Sequence, residues 1–429
     1  MSTHTPDRKT PPTLHIIDNF DFPEPEFYRL DNATPVYVFN YGTQDIIKID
    51  FLFDAGSWHQ QHPLTARYTS RMLSEGTQNY SAFEIAGHLD SMGIALSNFA
   101  MKDSSVVSAS MLSKHFGSIM PLISEIINQP AFPEKELGIQ KYFGKQNFID
   151  DSLKVNELAM RHFANQLFGD AHPYGKMITA DDFDNVEAEQ LKQFHQSHYQ
   201  PANCKIIISG KFGAEVLQQL NDIFGKMTAG ELSTPETITT HIVTKPTPMH
   251  IKMPEAVQSA LQVGKLSIGK THEDYFKLSM ANTILGGYFG SRLMKNIRED
   301  KGYTYGIYSS MVTFRHAAIF YISSEVDAAM SRPALDEIYA EIKKLRTEKV
   351  SEAELDLVKK YLTGHVLRAF DGPYSTAERF KSLLEHGIDY QNHYQKLISA
   401  IHMTTADDII EVMQRYLHED SMMELIVGN

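Results

Sequence analysis

The stretch "AEQLKQFHQSHYQPANCKIIISG", residues 188–210, returns in outline as "ADDIIEVMQRYLHEDSMMELIVG", residues 406–428. Each reads as an amphipathic helix, a short polar turn and an apolar strand that ends in glycine, Gly210 in one and Gly428 in the other. The 218-residue offset between the two glycines is about half of the 429-residue chain. That is far above the period of a solenoid and points to two duplicated halves. Strands interspersed with helices, and strand pairs that look like hairpins, favour an α+β fold over a doubly wound parallel sheet. The join is expected in "TAGELSTPETITTHIVTKPTP" (228–248), rich in Thr and Pro. The expected division is a tail at 1–24, a first half at 25–227, a linker at 228–248 and a second half at 249–429.

Within the first half, "PVYVFNY" (35–41) and "DIIKIDFLFDAG" (45–56) read as strands around a glycine-containing turn. "SAFEIAGHLDSMG" (81–93) reads as a helix with Ser81 as N-cap and Glu84 completing a capping box. "IALSNFAMKDSSVVSASM" reads as a hairpin. The helix in "FGSIMPLISEIINQ" carries Pro121 near its middle, so a kink or a break is expected there. Helical spacing runs from Glu134 to Phe168.

Composition narrows the function. A formal net charge of −13 argues against a nucleic-acid partner and gives no support for an anionic membrane surface. The single cysteine, Cys204, excludes an intrachain disulfide and a cysteine-based zinc cluster. Its strand neighbours make it a buried thiol, suited to a reducing compartment. No run approaches the length of a membrane span, and "MSTHTPDRKTPPT" has no apolar core of a secretory signal. The cytoplasm is the expected location.

"GSWHQQHPLTARYTSRMLSEGT" runs from Gly56 to Thr77. Read alone, its second part is a surface helix with two like charges, Arg67 and Arg71, one turn apart. Its flanking residues Gly56, Ser57, Ala66, Met72, Leu73, Gly76 and Thr77 resemble those around the inverted zinc motif of the insulinase–pitrilysin (M16) family of zinc peptidases. That motif needs two histidines four residues apart to face one metal, with a glutamate between them as base. In this register Arg67 and Arg71 stand in place of the histidines and Ser70 in place of the glutamate. The third ligand position falls at Asn147. An arginine stays protonated at neutral pH and cannot ligate zinc.

The resemblance extends along the chain from about residue 25 to Asn429. "GIALSNFAMKDSSVVSAS" resembles the edge strand to which substrate adds in active members, with Ser97 where the family has asparagine. His172, Pro173, Tyr174, Gly175, Phe194, His195, Tyr199, Pro201, Asn203 and Gly210 match a further pattern. "ANTILGGYFGSRLMKNIREDKGYTYGIYSS" (281–310) resembles the family's second-half signature. Locally, "SRLMKNIRE" is a helix closed by Gly302 and "YTYGIYSS" a strand. Arg298 is therefore in the last helical turn and Tyr305 on the next strand. Without the resemblance they read as a cation at a helix end and a half-buried tyrosine. With it they match the pair that binds the substrate backbone across a chamber. A guanidinium offers fixed donors to carbonyls and a phenol can donate to a developing oxyanion.

The resemblance implies two mainly antiparallel sheets of about six strands each, helices on one face, in a LuxS/MPP-like metallohydrolase fold. It is to the zinc-less partner-subunit type, of which the alpha subunit of mitochondrial processing peptidase is another. The implied function is a non-catalytic, substrate-binding subunit of a heterodimeric zinc endopeptidase, which degrades unfolded peptides in a closed chamber. Zinc would reside in the partner subunit and not in this chain. The alternative is a homodimeric peptide-binding or scaffold protein without proteolytic activity. A third possibility is an enzyme with another site. His59 with His62, and His195 with His198, are paired at suggestive spacing, but no third ligand supports either pair, and His59, His62 and His88 share no defensible spacing.

Overall fold

The computed structural model describes residues 20–230 and 247–429. Most of the expected tail and of the expected linker lies outside the described residues.

Six strands form the first sheet: β1 (Glu26–Arg29), β2 (Pro35–Asn40), β3 (Ile46–Phe53), β4 (Ala95–Ala100), β5 (Ser105–Leu112) and β6 (Cys204–Gly210). Five form the second: β7 (Met249–Lys252), β8 (Gln258–Leu266), β9 (Thr304–Thr313), β10 (Ala318–Asp327) and β11 (Met423–Gly428). The spatial orders are β1-β2-β6-β3-β5-β4 and β7-β11-β8-β10-β9. Each sheet has one parallel pair, β2 with β6 and β7 with β11; the other pairs are antiparallel. Apart from β1 the two orders coincide, so β4 and β9 are equivalent edge strands. Among the described residues the second sheet has five strands instead of about six, with no counterpart of β1. The repeated segments supply the helices Ala188–His198 and Ala406–Tyr416 and the strands β6 and β11.

In the first half, helices α1 (Thr65–Met72), α2 (Ala82–Ser91), α3 (Phe116–Asn128), α4 (Glu134–Asp151) and α5 (Val155–Phe168) follow the expected periodicity. The capping box at α2 is formed: the Glu84 amide donates to Ser81 Oγ at 3.3 Å and the Ser81 amide to Glu84 Oε2 at 2.8 Å. Pro121 does not divide α3 into two pieces. Its missing N–H forfeits one i→i−4 bond, while Ile119, Ile123, Ile126 and Ile127 are buried against β5 and its neighbours.

Each sheet buries one face against helices of its own half. Its other face takes a helix from the opposite half. The helix Pro373–Leu384 packs on β2 and β6, with Phe380 beside Phe39 and Ile207. In return, α5 packs on β8 and β11. This exchange explains why Asp50, on the more polar face of β3, is only 2% exposed. Lys381 Nζ donates to it at 2.9 Å, compensating a charge that burial alone would make costly. A second junction joins Arg315 to Asp54 at 2.5 Å and the Arg315 amide to the Asp103 carboxylate at 3.0 Å. Trp58 stacks on His316 there, with 4.0 Å between ring centroids.

Candidate functional site

The frame around α1 has a backbone purpose. The Ser57 and Trp58 amides donate to the carbonyls of Met101 and Lys102 at 2.9 and 2.7 Å. A Cβ on Gly56 would sit 2.5 Å from the Lys102 oxygen, so only glycine permits this approach. After the helix, Thr77 Oγ1 donates to Glu125 at 2.5 Å. Between these anchors α1 buries Ala66, Tyr68, Thr69, Ser70 and Met72. Arg67 and Arg71 lie on the opposite face, both exposed. Helix α4 crosses α1 where the Tyr68 hydroxyl donates to the Gln140 carbonyl at 3.2 Å. The neighbouring position on α4 is Gly144, whose absent side chain makes room for that hydroxyl. Asn147, one turn on, is exposed.

Neither nearby carboxylate is claimed by an arginine of α1. Glu75 accepts from Gln140 at 2.8 Å, and burial raises its pKa. Asp151 is held below its usual range chiefly by Lys154, with smaller contributions from Arg161 and Arg67. Arg67, Ser70, Arg71 and Asn147 thus provide two guanidiniums, a buried hydroxyl and an amide. This donor set does not fit zinc: the cations repel it and no imidazole or carboxylate is offered. Among the described residues, no group of three or more His, Cys, Asp or Glu side chains could hold a metal ion.

The second half holds a different arrangement. Arg298 lies in a helical segment, Met294–Asp300, whose bonds skip five residues, as from the Lys301 amide to the Asn296 carbonyl at 3.1 Å. Arg292 on the same helix is bound by Glu354 through two bonds of 2.9 and 2.8 Å, and Lys301 pairs with Glu337 at 2.9 Å. Arg298 instead lies over two rings. Its guanidinium carbon is 4.6 Å from the Phe289 centroid and 5.6 Å from that of Tyr305.

Tyr305 is 90% exposed. It is presented by a bulge in β9: Ile307 pairs with Ser324 and Thr304 with Val326, so three steps on β9 oppose two on β10. Hydroxyls stitch the bulge. Thr304 Oγ1 donates to the Glu325 carbonyl at 2.6 Å, the Gly306 amide donates to Thr304 Oγ1 at 3.0 Å, and Ser324 Oγ donates to the Gly306 carbonyl at 3.0 Å. A cavity of about 790 Å³ wraps this end of β9 and reaches α5 through Asn156 and Met160.

The insulinase (peptidase family M16) model matches residues 38–170, and the model described as the peptidase M16 inactive domain matches residues 185–362. The chain belongs to the M16 peptidase family. Among curated relatives, the uncharacterized zinc protease YmxG of Bacillus subtilis is 23% identical over 364 residues, covering 82% of this chain and 86% of that protein. The probable inactive metalloprotease YmfF of the same organism is 23% identical over 308 residues, covering 69% and 70%. The crystal structure of a peptidase M16 inactive domain from Pseudomonas fluorescens superposes with a TM-score of 0.86 at 23% identity, covering 94% of this chain and 97% of that one. The periplasmic protease PqqL of Escherichia coli gives 0.77 at 12% identity, covering 99% of this chain and 49% of PqqL. These likenesses fix the M16 fold.

Within that fold, Arg298 and Tyr305 lie side by side. No contact among the described residues joins them to Arg67, Ser70, Arg71 or Asn147. Phe289 was not singled out in the sequence, although it follows the Gly286-Gly287 pair and Tyr288 directly. The histidine pairs are separated. His195 is bonded through Nε2 to the Ile127 carbonyl at 2.7 Å. His198 lies beside His59, with 5.2 Å between centroids. Burial, then His59, lowers the His198 pKa to about 4. His62 and His88 are exposed and join neither.

Proposed function

We propose that this chain is the non-catalytic, substrate-binding subunit of a heterodimeric zinc endopeptidase that degrades unfolded peptides in a closed chamber. The observation that carries the reading is the contrast between the halves. The helix that would hold zinc bears Arg67 and Arg71, while Arg298 and Tyr305 stand assembled at an open strand edge. In this reading Arg298 donates to peptide carbonyls, and the Tyr305 hydroxyl donates to the oxyanion formed in the partner's site. The partner supplies zinc, the base and the hydrolytic step. The cytoplasm is the proposed setting, which suits the buried free thiol of Cys204; no described helix is long and apolar enough to cross a membrane.

Two further observations support a partner and a peptide. Ile139, Tyr142, Phe143, Ile149 and Leu153, on α4 and just after it, are exposed by 40–72%, an apolar ridge of the kind that marks an interaction surface. In Bacillus subtilis, relatives named as a zinc protease and as a probable inactive metalloprotease occur together.

The test is metal content and assembly. After chelation and zinc re-addition, the purified chain is expected to retain no stoichiometric zinc and to form a heterodimer with a zinc-bearing family member. Stoichiometric zinc in the isolated chain sinks the reading. A chain that stays homodimeric when the zinc-bearing member is supplied favours the scaffold alternative.

A further inference from the structure

A second cavity, of about 700 Å³, shares no lining residue with the one at β9. It lies where the loop after β8 and the helix Tyr275–Asn282 face the helix Tyr390–Met403, and its volume suits a small molecule. This is a seam left by the exchange of helices. The helix Tyr275–Asn282 places Leu278, Met280 and Ala281 in the core of the second half. The helix Tyr390–Met403 packs Tyr390, Tyr394 and Ile401 into the cluster that holds Phe39 and Ile207 of the first sheet, and lines the cavity with His393, Lys396 and Ala400.

The lining offers cations and donors that the fold leaves uncompensated. Lys270 is half-buried, and its Nζ donates to a neutral partner, Ser382 Oγ, at 3.3 Å. Among the described residues no carboxylate comes within ion-pair distance of Lys270 or of Lys396. Burial lowers the Lys270 pKa, and Glu385 opposes that shift. His272 adds a directed donor: its Nδ1 accepts the Asp274 amide at 3.1 Å, so Nε2 carries the proton. The acidic residues of the lining are committed or exposed. Asp408 accepts from Lys277 at 2.6 Å and from the Thr405 hydroxyl at 2.7 Å, Asp389 accepts the Asn392 amide at 2.7 Å, and Glu273 is exposed. Phe276 and Ile388 supply apolar surface. A half-buried ammonium without a counter-charge carries a desolvation cost that an anion in the cavity relieves.

We propose that this cavity binds a small organic oxyanion, with Lys270 as its counter-charge, His272 and Lys396 as further donors and Phe276 against its apolar body. The oxyanion is a carboxylate or a phosphate monoester, which share the chemistry. The inference is independent of the reading of Arg298 and Tyr305. An occupant bridges the body of the second half and a helix packed on the first sheet, so its binding stabilises the joined halves.

The test is ligand-observed NMR on the full chain in phosphate-free buffer, with probes that share a benzene ring: benzoate, phenyl phosphate, benzyl alcohol and benzylamine. At least one of the two anions is expected to bind roughly tenfold more tightly than benzyl alcohol and to raise the melting temperature. Which anion does so identifies the oxyanion. Lys270→Met keeps the aliphatic stem and is expected to remove the preference for the anion. Ser399→Trp, at an exposed position of the lining, is expected to block the anion with the charge in place, and it decides the matter if Lys270→Met fails to fold. Equal binding of anions and alcohol, or benzylamine bound as tightly as the anions, overturns the proposal. No binding of either anion overturns it as well. An anion preference that persists in either variant places the anion elsewhere and also overturns the proposal. None of these outcomes touches the peptide-binding reading.

Discussion

Arg298 and Tyr305 are seven residues apart in the chain, on different elements, and their side chains meet with 5.6 Å between guanidinium carbon and ring centroid. The helix end fixes one partner and the β-bulge the other. Because Tyr305 is 90% exposed, Tyr305→Phe is expected to leave stability within about 0.5 kcal/mol. In the reconstituted peptidase it is expected to lower turnover by about a hundredfold, the scale of one lost oxyanion donor. Thermal unfolding and steady-state kinetics on the same preparation separate the two effects.

In the proposed reading, α1 is a zinc helix that lacks ligand side chains but keeps its backbone. Arg67 and Arg71 share an exposed face one turn apart, so Arg67→His with Arg71→His is expected to give the isolated chain measurable Co²⁺ or Zn²⁺ binding. The fold should be unaffected. Titration calorimetry that shows no metal binding by the double variant would mean that α1 no longer has the geometry of a metal helix.

Helix α4 lies close to α1 because residue 144 has no side chain. Gly144→Ala adds about 1 kcal/mol of helix propensity, yet its methyl group collides with the Tyr68 hydroxyl and approaches Phe183. Overpacking of this kind costs about 1–3 kcal/mol, so net destabilisation is expected in urea unfolding. Adding Tyr68→Phe removes the hydroxyl it meets and is expected to recover part of the loss.

The junction between the halves is expected to weaken in acid. The His198 pKa is lowered from 6.5 to about 4 by burial first and His59 second, and nearby Asp54 opposes the shift. His59 and His316 are also lowered, each chiefly by burial and also by Arg315, with Asp103 opposing. The unfolded chain therefore binds more protons between about pH 4 and 6.5, and stability rises with pH through that window. The contribution is complete above about pH 6.5 and is lost as pH falls toward 4. Melting temperature followed from pH 7.5 to 5 should drop, and His198→Asn should flatten that slope.

Much of this was legible in the residues. The repeat ending at Gly210 and Gly428 marked the equivalent strands β6 and β11, and the capping box at Ser81 marked the start of α2. Arg67 and Arg71 in the α1 register are plain in the sequence. The bulge at Tyr305 was not, because "YTYGIYSS" alternates like an ordinary strand and the extra residue shows only against β10. Phe289 carried no periodic signal, since it belongs to a short turn between helical segments. The burial of Asp50 depends on Lys381, 331 residues away, and no local pattern reports a helix supplied by the other half.

Peptide turnover by the mixed and separated subunits tests the central claim most directly. This chain alone should cleave nothing and its zinc-bearing partner alone little. The mixture should cleave an unfolded peptide, and Arg298→Ala should abolish most of that gain with the heterodimer intact. Full turnover by the mixture with both Arg298→Ala and Tyr305→Phe in place, or cleavage by this chain alone, would contradict the account.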